Sequence, residues 1–296
     1  MNLPSTKQLR YFVALVETEH FGRAAAASHV SQSAFSNAIK ELETTLGVQL
    51  VDRTNRHVTI TAIGQQVAPM ARLALQDIQD LVETARGDRR PLCGELRLGV
   101  IPTIAPFLLP KVLPKLRRRF PELRLLLIED QTERIYNRLM GGELDLLLLA
   151  LPWEMRGAEQ KVLFRDPFRL ACHKGTDRVD PENYRFSRLD ANSVLLLEDG
   201  HCLRDHALAA CKIRNMQKVQ RFAASSLLTL VEMVNADLGI TYLPEMARNS
   251  TLLRNTDVEL HPMPDSSYRN IGLAWRQGSN RVDEFEMLGE FIEAHR

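Results

Sequence analysis

Residues 21–47 read FGRAAAASHVSQSAFSNAIKELETTLG, and this stretch decides the N-terminal fold. An alanine-rich segment over 21–29 forms a short helix. Ser31 then offers a hydroxyl N-cap to a second helix over 32–46, because a short side-chain oxygen there accepts an orphan N–H of the first turn. Gly47 ends that helix, since a residue without a Cβ adopts the left-handed C′ conformation cheaply. Phe35, Ile39, Leu42 and Leu46 recur at helical spacing and mark a buried face. Two helices across a tight turn, the second capped by a hydroxyl, make a helix-turn-helix. Upstream, residues 7–18 carry Leu9, Phe12, Val13, Leu15 and Val16 as a helical stripe. Downstream, residues 48–61 alternate loosely and read as a two-stranded wing with Arg53, Arg56 and His57 near its tip.

From this helix Ser31, Gln32, Ser33, Phe35, Ser36 and Lys40 are the expected DNA contacts, since short hydroxyl and amide groups at a helix N-terminus suit base edges and phosphates. Arg23, Arg53 and Arg56 would hold the flanking backbone. Three such helices could equally be a packing unit with no nucleic-acid role. Charge does not decide, with six Lys and Arg against five Asp and Glu in residues 1–61. The adjoining segment favours DNA. Residues 61–88 read as one long helix, with a kink expected at Pro69, and Val67, Met70, Ala71, Ala74, Ile78, Leu81, Val82 and Ala85 form an apolar stripe. A lone helix cannot hide that stripe, and the simplest cover is the same helix of a second chain. Paired reading heads one helical turn apart gain specificity.

Gly87, Pro91 and Gly94 mark a linker, and the texture then changes to β/α alternation. Strands are expected over 96–101, 123–129 and 144–150, with helices over 106–120 and 132–140 between them, a parallel βαβ arrangement. A second lobe runs over about 167–268, with a strand at 168–173, a helix at 226–236 and a strand at 239–243. A strand at 271–276 and a helix at 281–295 close the chain. Two such lobes leave a cleft between them. The domains are thus 1–61, 62–90 and 91–296, the last with lobe I over about 95–166 and 269–296.

Composition is that of an ordinary soluble protein, with 296 residues, 45% of them apolar, and a formal net charge of +1. Nothing resembles a signal peptide or a membrane span, so a cytoplasmic location without membrane contact is expected. There is no CxxC, zinc spacing, P-loop or GxGxxG, and no metal or cofactor is expected. Arg117, Arg118 and Arg119 read as a solvated run complementing a helix C-terminus. Four cysteines in a cytosolic chain do not make a disulfide scaffold.

Two of those cysteines lie in Gly200-His201-Cys202-Leu203-Arg204-Asp205-His206-Ala207-Leu208-Ala209-Ala210-Cys211. The run after Cys202 reads as helix, on which nine steps of ~1.5 Å and ~100° would hold the thiols ~13 Å apart on opposite faces. A disulfide needs Cα atoms within ~7 Å. The pair either never bridges, or bridges only when the segment unfolds. A helix N-terminus beside His201 and Arg204 would lower the thiol pKa of Cys202. Small buried core residues are the alternative reading. Cys93 and Cys172 read as structural.

The motifs Phe21-Gly22-Arg23-Ala24-Ala25, His29-Val30-Ser31-Gln32-Ser33, Ile39-Lys40-Glu41-Leu42-Glu43, Leu46-Gly47 and the run from Arg53 to Thr61 resemble the N-terminal domain of LysR-type bacterial transcriptional regulators. The resemblance extends along the chain. It implies a winged helix-turn-helix, a long linker helix and a two-lobed α/β regulatory domain like a periplasmic binding protein. It also implies a homotetramer (a dimer of dimers), promoter DNA and RNA polymerase as partners, and no enzymatic activity. Gly99-Val100-Ile101-Pro102-Thr103, Gln131-Thr132, the run from Leu197 to Asp205, Cys211 and Arg269 are similar to the hydrogen-peroxide-sensing branch. By that similarity Cys202 is the peroxidatic thiol and Cys211 the resolving one, with Thr103, Thr132, His201, Arg204, Asp205 and Arg269 around the peroxide. Leu228 stands where that branch usually has a glutamate. The alternatives are a regulator binding a small anion in the cleft, through Thr103, Thr132 and Ser226, and a thiol peroxidase or oxidoreductase.

Overall fold

The computed structural model describes residues 3–53, 58–86, 90–213 and 215–296. These fall into two compact units, one of residues up to 90 together with 137–144, the other of 91–136 and 145–296.

The first unit begins with three helices, α1 (Thr6–Thr18), α2 (Phe21–Ala27) and α3 (Gln32–Leu46). Ser5 and Gln8 form a reciprocal capping box on α1. Ser31 caps α3 by accepting from the Ala34 N–H, and Gly47 closes it at φ +69°. Phe12, Leu15, Ala24, Phe35, Ile39 and Leu42 make the shared core. Strands β1 (Val51–Arg53) and β2 (Val58–Ile60) pair antiparallel as the wing, with Val51 opposite Ile60. The long helix α4 (Ala62–Arg86) runs unbroken through Pro69, where the sequence suggests a kink.

The second unit is built on a seven-stranded mixed sheet. Strand β3 (Gly94–Val100), helix α5 (Ala105–Arg119), strand β4 (Leu123–Glu129), helix α6 (Thr132–Met140) and strand β5 (Leu146–Leu151) give the expected parallel βαβ run, β3 lying between β4 and β5. Strand β6 (Ala158–His173) is far longer than its expected stretch. Helices α7 (Cys202–Ala210) and α8 (Leu227–Asn235) come next, then strands β7 (Thr241–Pro244), β8 (Val258–Pro262) and β9 (Tyr268–Arg276), and helix α9 (Val282–His295). Strand β9 lies antiparallel between β5 and β6, and the far half of β6 pairs with β7 and β8. One long strand therefore serves both lobes. Arg117, Arg118 and Arg119 are exposed in the last turn of α5.

Candidate functional site

In the helix-turn-helix, Gln32, Ser33 and Lys40 are exposed on α3, Ser31 is exposed at its cap and Ser36 is half-buried. Phe35 is a correction. It is fully buried, its ring stacked 4.9 Å from Tyr11 and edge-on to Phe21 at 6.1 Å. A large aromatic at the centre of three helices gains more from burial than from a base edge, so it builds the core and touches no DNA. Arg23 donates through Nη2 to the Thr18 carbonyl, 2.7 Å away. Arg53 ends β1, while its side chain, Arg56 and His57 lie outside the described residues.

The cysteine segment occupies the second unit. Gly200 turns the chain at φ +96°, a conformation that calls for glycine, and a Cβ there would press on the movable Gln131 amide at 3.0 Å. His201 holds the N-cap position without a side-chain capping bond, and Cys202 opens α7. The Cys202 side chain is buried. Burial pushes its thiol pKa up, against the opposing pull of the Thr132 hydroxyl, the Arg269 charge and the Ala150 main chain. The lowered thiol expected from the sequence is therefore corrected, because loss of water outweighs the helix end and the cation. The cation that acts on the sulfur is Arg269. Arg204 is held by Asp199 at 2.9 Å, and Asp205 is exposed and raises the thiol further.

Arg269 is itself fully buried. Its Nε donates to Asp166 Oδ2 at 3.0 Å, and its two terminal nitrogens donate to the Thr103 hydroxyl and carbonyl at 2.9 and 2.8 Å. Thr103 is thus fully engaged. Thr132 is not. Its buried hydroxyl is near enough to influence the sulfur, yet makes no hydrogen bond of ordinary geometry among the described residues. His201 Nε2 lies 3.4 Å from the Gln131 amide nitrogen. That amide can only donate, so this ring carries its proton on Nδ1. Ser226 caps α8, and Leu228 is 59% exposed on that helix.

Cys211 is the C-cap of the same helix and packs against the lobe II core. Burial pushes its thiol to about 12. It lies close enough to Tyr184 and Tyr242, whose hydroxyls are 2.5 Å apart, to act on both by charge. Cys202 and Cys211 are both free thiols, one at each end of a nine-residue helix. Cys93 bonds the Glu122 carboxylate at 3.0 Å, and Cys172 is buried in β6 with its thiol pushed to about 11 by burial first.

Residues 6–65 match the model of the bacterial regulatory helix-turn-helix protein, lysR family, and residues 89–296 match the LysR substrate binding domain. The chain belongs to the LysR family of bacterial regulators. It is 42% identical over 292 residues to the HTH-type transcriptional regulator EstR of Acinetobacter baylyi, covering 98% of this chain and 97% of that one. It is 37% identical over 289 residues to the hydrogen peroxide-inducible genes activator of Dickeya chrysanthemi, covering 98% and 95%. A variant of full-length OxyR from Pseudomonas aeruginosa superposes with a TM-score of 0.82 at 32% identity, over 99% of this chain and 95% of that one.

This LysR-family chain thus has OxyR-like relatives and gathers Thr132 and Arg269 around the Cys202 thiol, with Cys211 at the other end of α7. Sequence reasoning missed two residues of that region. Asp166 is joined to Arg269 across 103 positions, a separation no local pattern reveals. His206 stands four residues after Cys202, on the same helical face, and that spacing was legible.

Proposed function

We propose that this chain is a hydrogen-peroxide-responsive transcriptional regulator, switched by a reversible Cys202–Cys211 disulfide. The supporting observation is the pairing of a buried Cys202 thiol with a Thr132 hydroxyl that makes no other hydrogen bond among the described residues, while a second free thiol waits at the other end of α7. Peroxide supplies both a donor and an acceptor for that hydroxyl. Its reaction with the thiol gives a sulfenic acid and water, and condensation with the Cys211 thiol gives a disulfide and a second water. The bridge cannot close across an intact α7, whose ends lie ~13 Å apart. Oxidation therefore requires the helix to melt, and the loop so closed constrains the chain by about 2.7 kcal/mol. That repacking would act on promoter DNA and RNA polymerase through a homotetramer, in the cytoplasm, with residues 1–61 reading DNA, 62–90 pairing chains and 91–296 sensing.

The test is mass spectrometry of tryptic peptides after mild peroxide. The Cys202–Cys211 link is expected before Cys93 or Cys172 reacts, and Cys202→Ser is expected to abolish the response. Equal reaction of all four thiols, or a full response from Cys202→Ser, would refute the reading.

A second reading, a small organic anion sensed at the lobe junction, is favoured by one feature. A cavity of about 420 Å³ there is lined by Lys111, Arg165, Arg248 and Arg296, four cations against the two carboxylates Asp166 and Glu245. A chain unresponsive to peroxide but stabilised by a carboxylate would select it.

A further inference from the structure

We propose that His206 is the proton acceptor for Cys202 when its thiol meets peroxide. The inference rests on the peroxide reading and deepens it. His206 comes four residues after Cys202 in α7, one helical turn along the same face. Both side chains dock on the end of β5 and the residue after it, Cys202 against the Ala150 main chain and His206 Nε2 at 3.1 Å from the Pro152 carbonyl. A carbonyl oxygen can only accept, so Nε2 carries the ring proton and Nδ1 holds a lone pair. That Nδ1 is buried and makes no hydrogen bond among the described residues. With the Thr132 hydroxyl, it is a second polar atom of the Cys202 region that makes no hydrogen bond of ordinary geometry among the described residues.

The charged and titratable groups facing the ring are Asp205 on its own helix and Arg269 from β9, with the neutral Cys202 thiol one turn away. Burial and the Arg269 charge keep the imidazole neutral, against the pull of Asp205 and the Pro152 carbonyl. A neutral thiol one helical turn from a neutral base stays protonated until peroxide arrives. The Cys202 proton then passes to His206 Nδ1. The sulfur electron pair attacks the nearer peroxide oxygen, and the O–O bond breaks. The Nδ1 proton goes to the departing oxygen, which leaves as water. Sulfur is oxidised to the sulfenic acid, peroxide is reduced, and the imidazole returns to its starting form.

The full chain carrying Cys211→Ser traps the intermediate. The rate of sulfenic acid capture at Cys202 by a dimedone-type reagent is measured by mass spectrometry between pH 5 and 8. With His206 present, the rate should fall as the ring protonates on the acid side of neutrality. His206→Gln can bond Pro152 but cannot take a proton. It should react about a hundredfold more slowly at pH 7 and lose the acid-side inflection, while its melting temperature and promoter binding report an intact fold. Unchanged rate and pH profile in His206→Gln would overturn the role of His206 alone. Should that variant not fold, a featureless acid limb in the His206 protein overturns it equally. No adduct at any pH, with His206 in place, would overturn the peroxide reading and this inference together.

Discussion

Thr132 shows how one atom separates stability from sensing. Its buried hydroxyl has lost water and gained no ordinary hydrogen bond among the described residues, an arrangement that costs the fold about 1–3 kcal/mol. A structural hydroxyl would not be left so, whereas a ligand-facing one is. Thr132→Val keeps the volume and removes the penalty. The variant is expected to be as stable as the parent, or up to about 1 kcal/mol more so, by urea unfolding. Its sulfenic acid formation at Cys202 should nonetheless slow by about tenfold, the loss of one hydrogen bond to a reacting oxygen. A destabilised Thr132→Val that reacts at the parental rate would make this hydroxyl structural. Thr103 gives the contrasting case. Its hydroxyl is committed to Arg269, although by sequence the two threonines look alike, each coming just after a strand end. Which of them is free depends on where Arg269 lies, and Arg269 is 166 residues from Thr103.

Helix α7 is the moving part at the scale of elements. It spans nine residues, its N-cap makes no side-chain hydrogen bond and only Cys202, Leu203 and Ala207 are buried on it. A helix that short is marginal by itself, so tertiary contact holds it, and a disulfide of ordinary strength can compete. Ala209 is exposed on α7. Ala209→Gly should weaken the helical dithiol state by about 1 kcal/mol without touching the pocket. Equilibration against glutathione buffers is expected to show a potential about 20 mV more negative, with the rate of the first peroxide step unchanged. An unmoved potential would mean that α7 survives oxidation. The helix itself was legible from Asp205 and the run Leu208-Ala209-Ala210, as were the βαβ run and the C-terminal helix. Strand β6 was not, since Lys161, Arg165, Asp166 and Pro167 disguise its first half. Those positions are tolerated because the strand runs between β9 and the second lobe, and Pro167 lies at the last pairing before the partner strand changes. Periodicity put Phe35 on the buried face of α3, and the packing against Tyr11 removes it from the DNA contacts with which it was also grouped.

For the whole molecule the open question is what covers α4. This helix of 25 residues leaves Met70 68%, Ile78 41% and Leu81 67% exposed, on one side of the helix like a seam. Single exposed apolar residues are ordinary, but an aligned set on a long helix marks an association face. A LysR-family chain has a particular use for a second copy. One α3 reads only a few base pairs, and specificity grows when a symmetric partner places a second α3 one DNA turn away. The isologous face expected to serve both needs is α4 against α4. Leu81→Glu would set two carboxylates against each other across that face and bury neither well. Light scattering is expected to show the particle mass falling by half or more, and a two-half-site promoter fragment to bind at least about tenfold more weakly, because each chain then loses the effective concentration supplied by its partner. Cys202 in the same variant should still form its sulfenic acid, since that chemistry is contained within one chain. An unchanged mass would place the chain-to-chain contact elsewhere, and loss of oxidation along with assembly would show that the sensing pocket needs a neighbour to take shape.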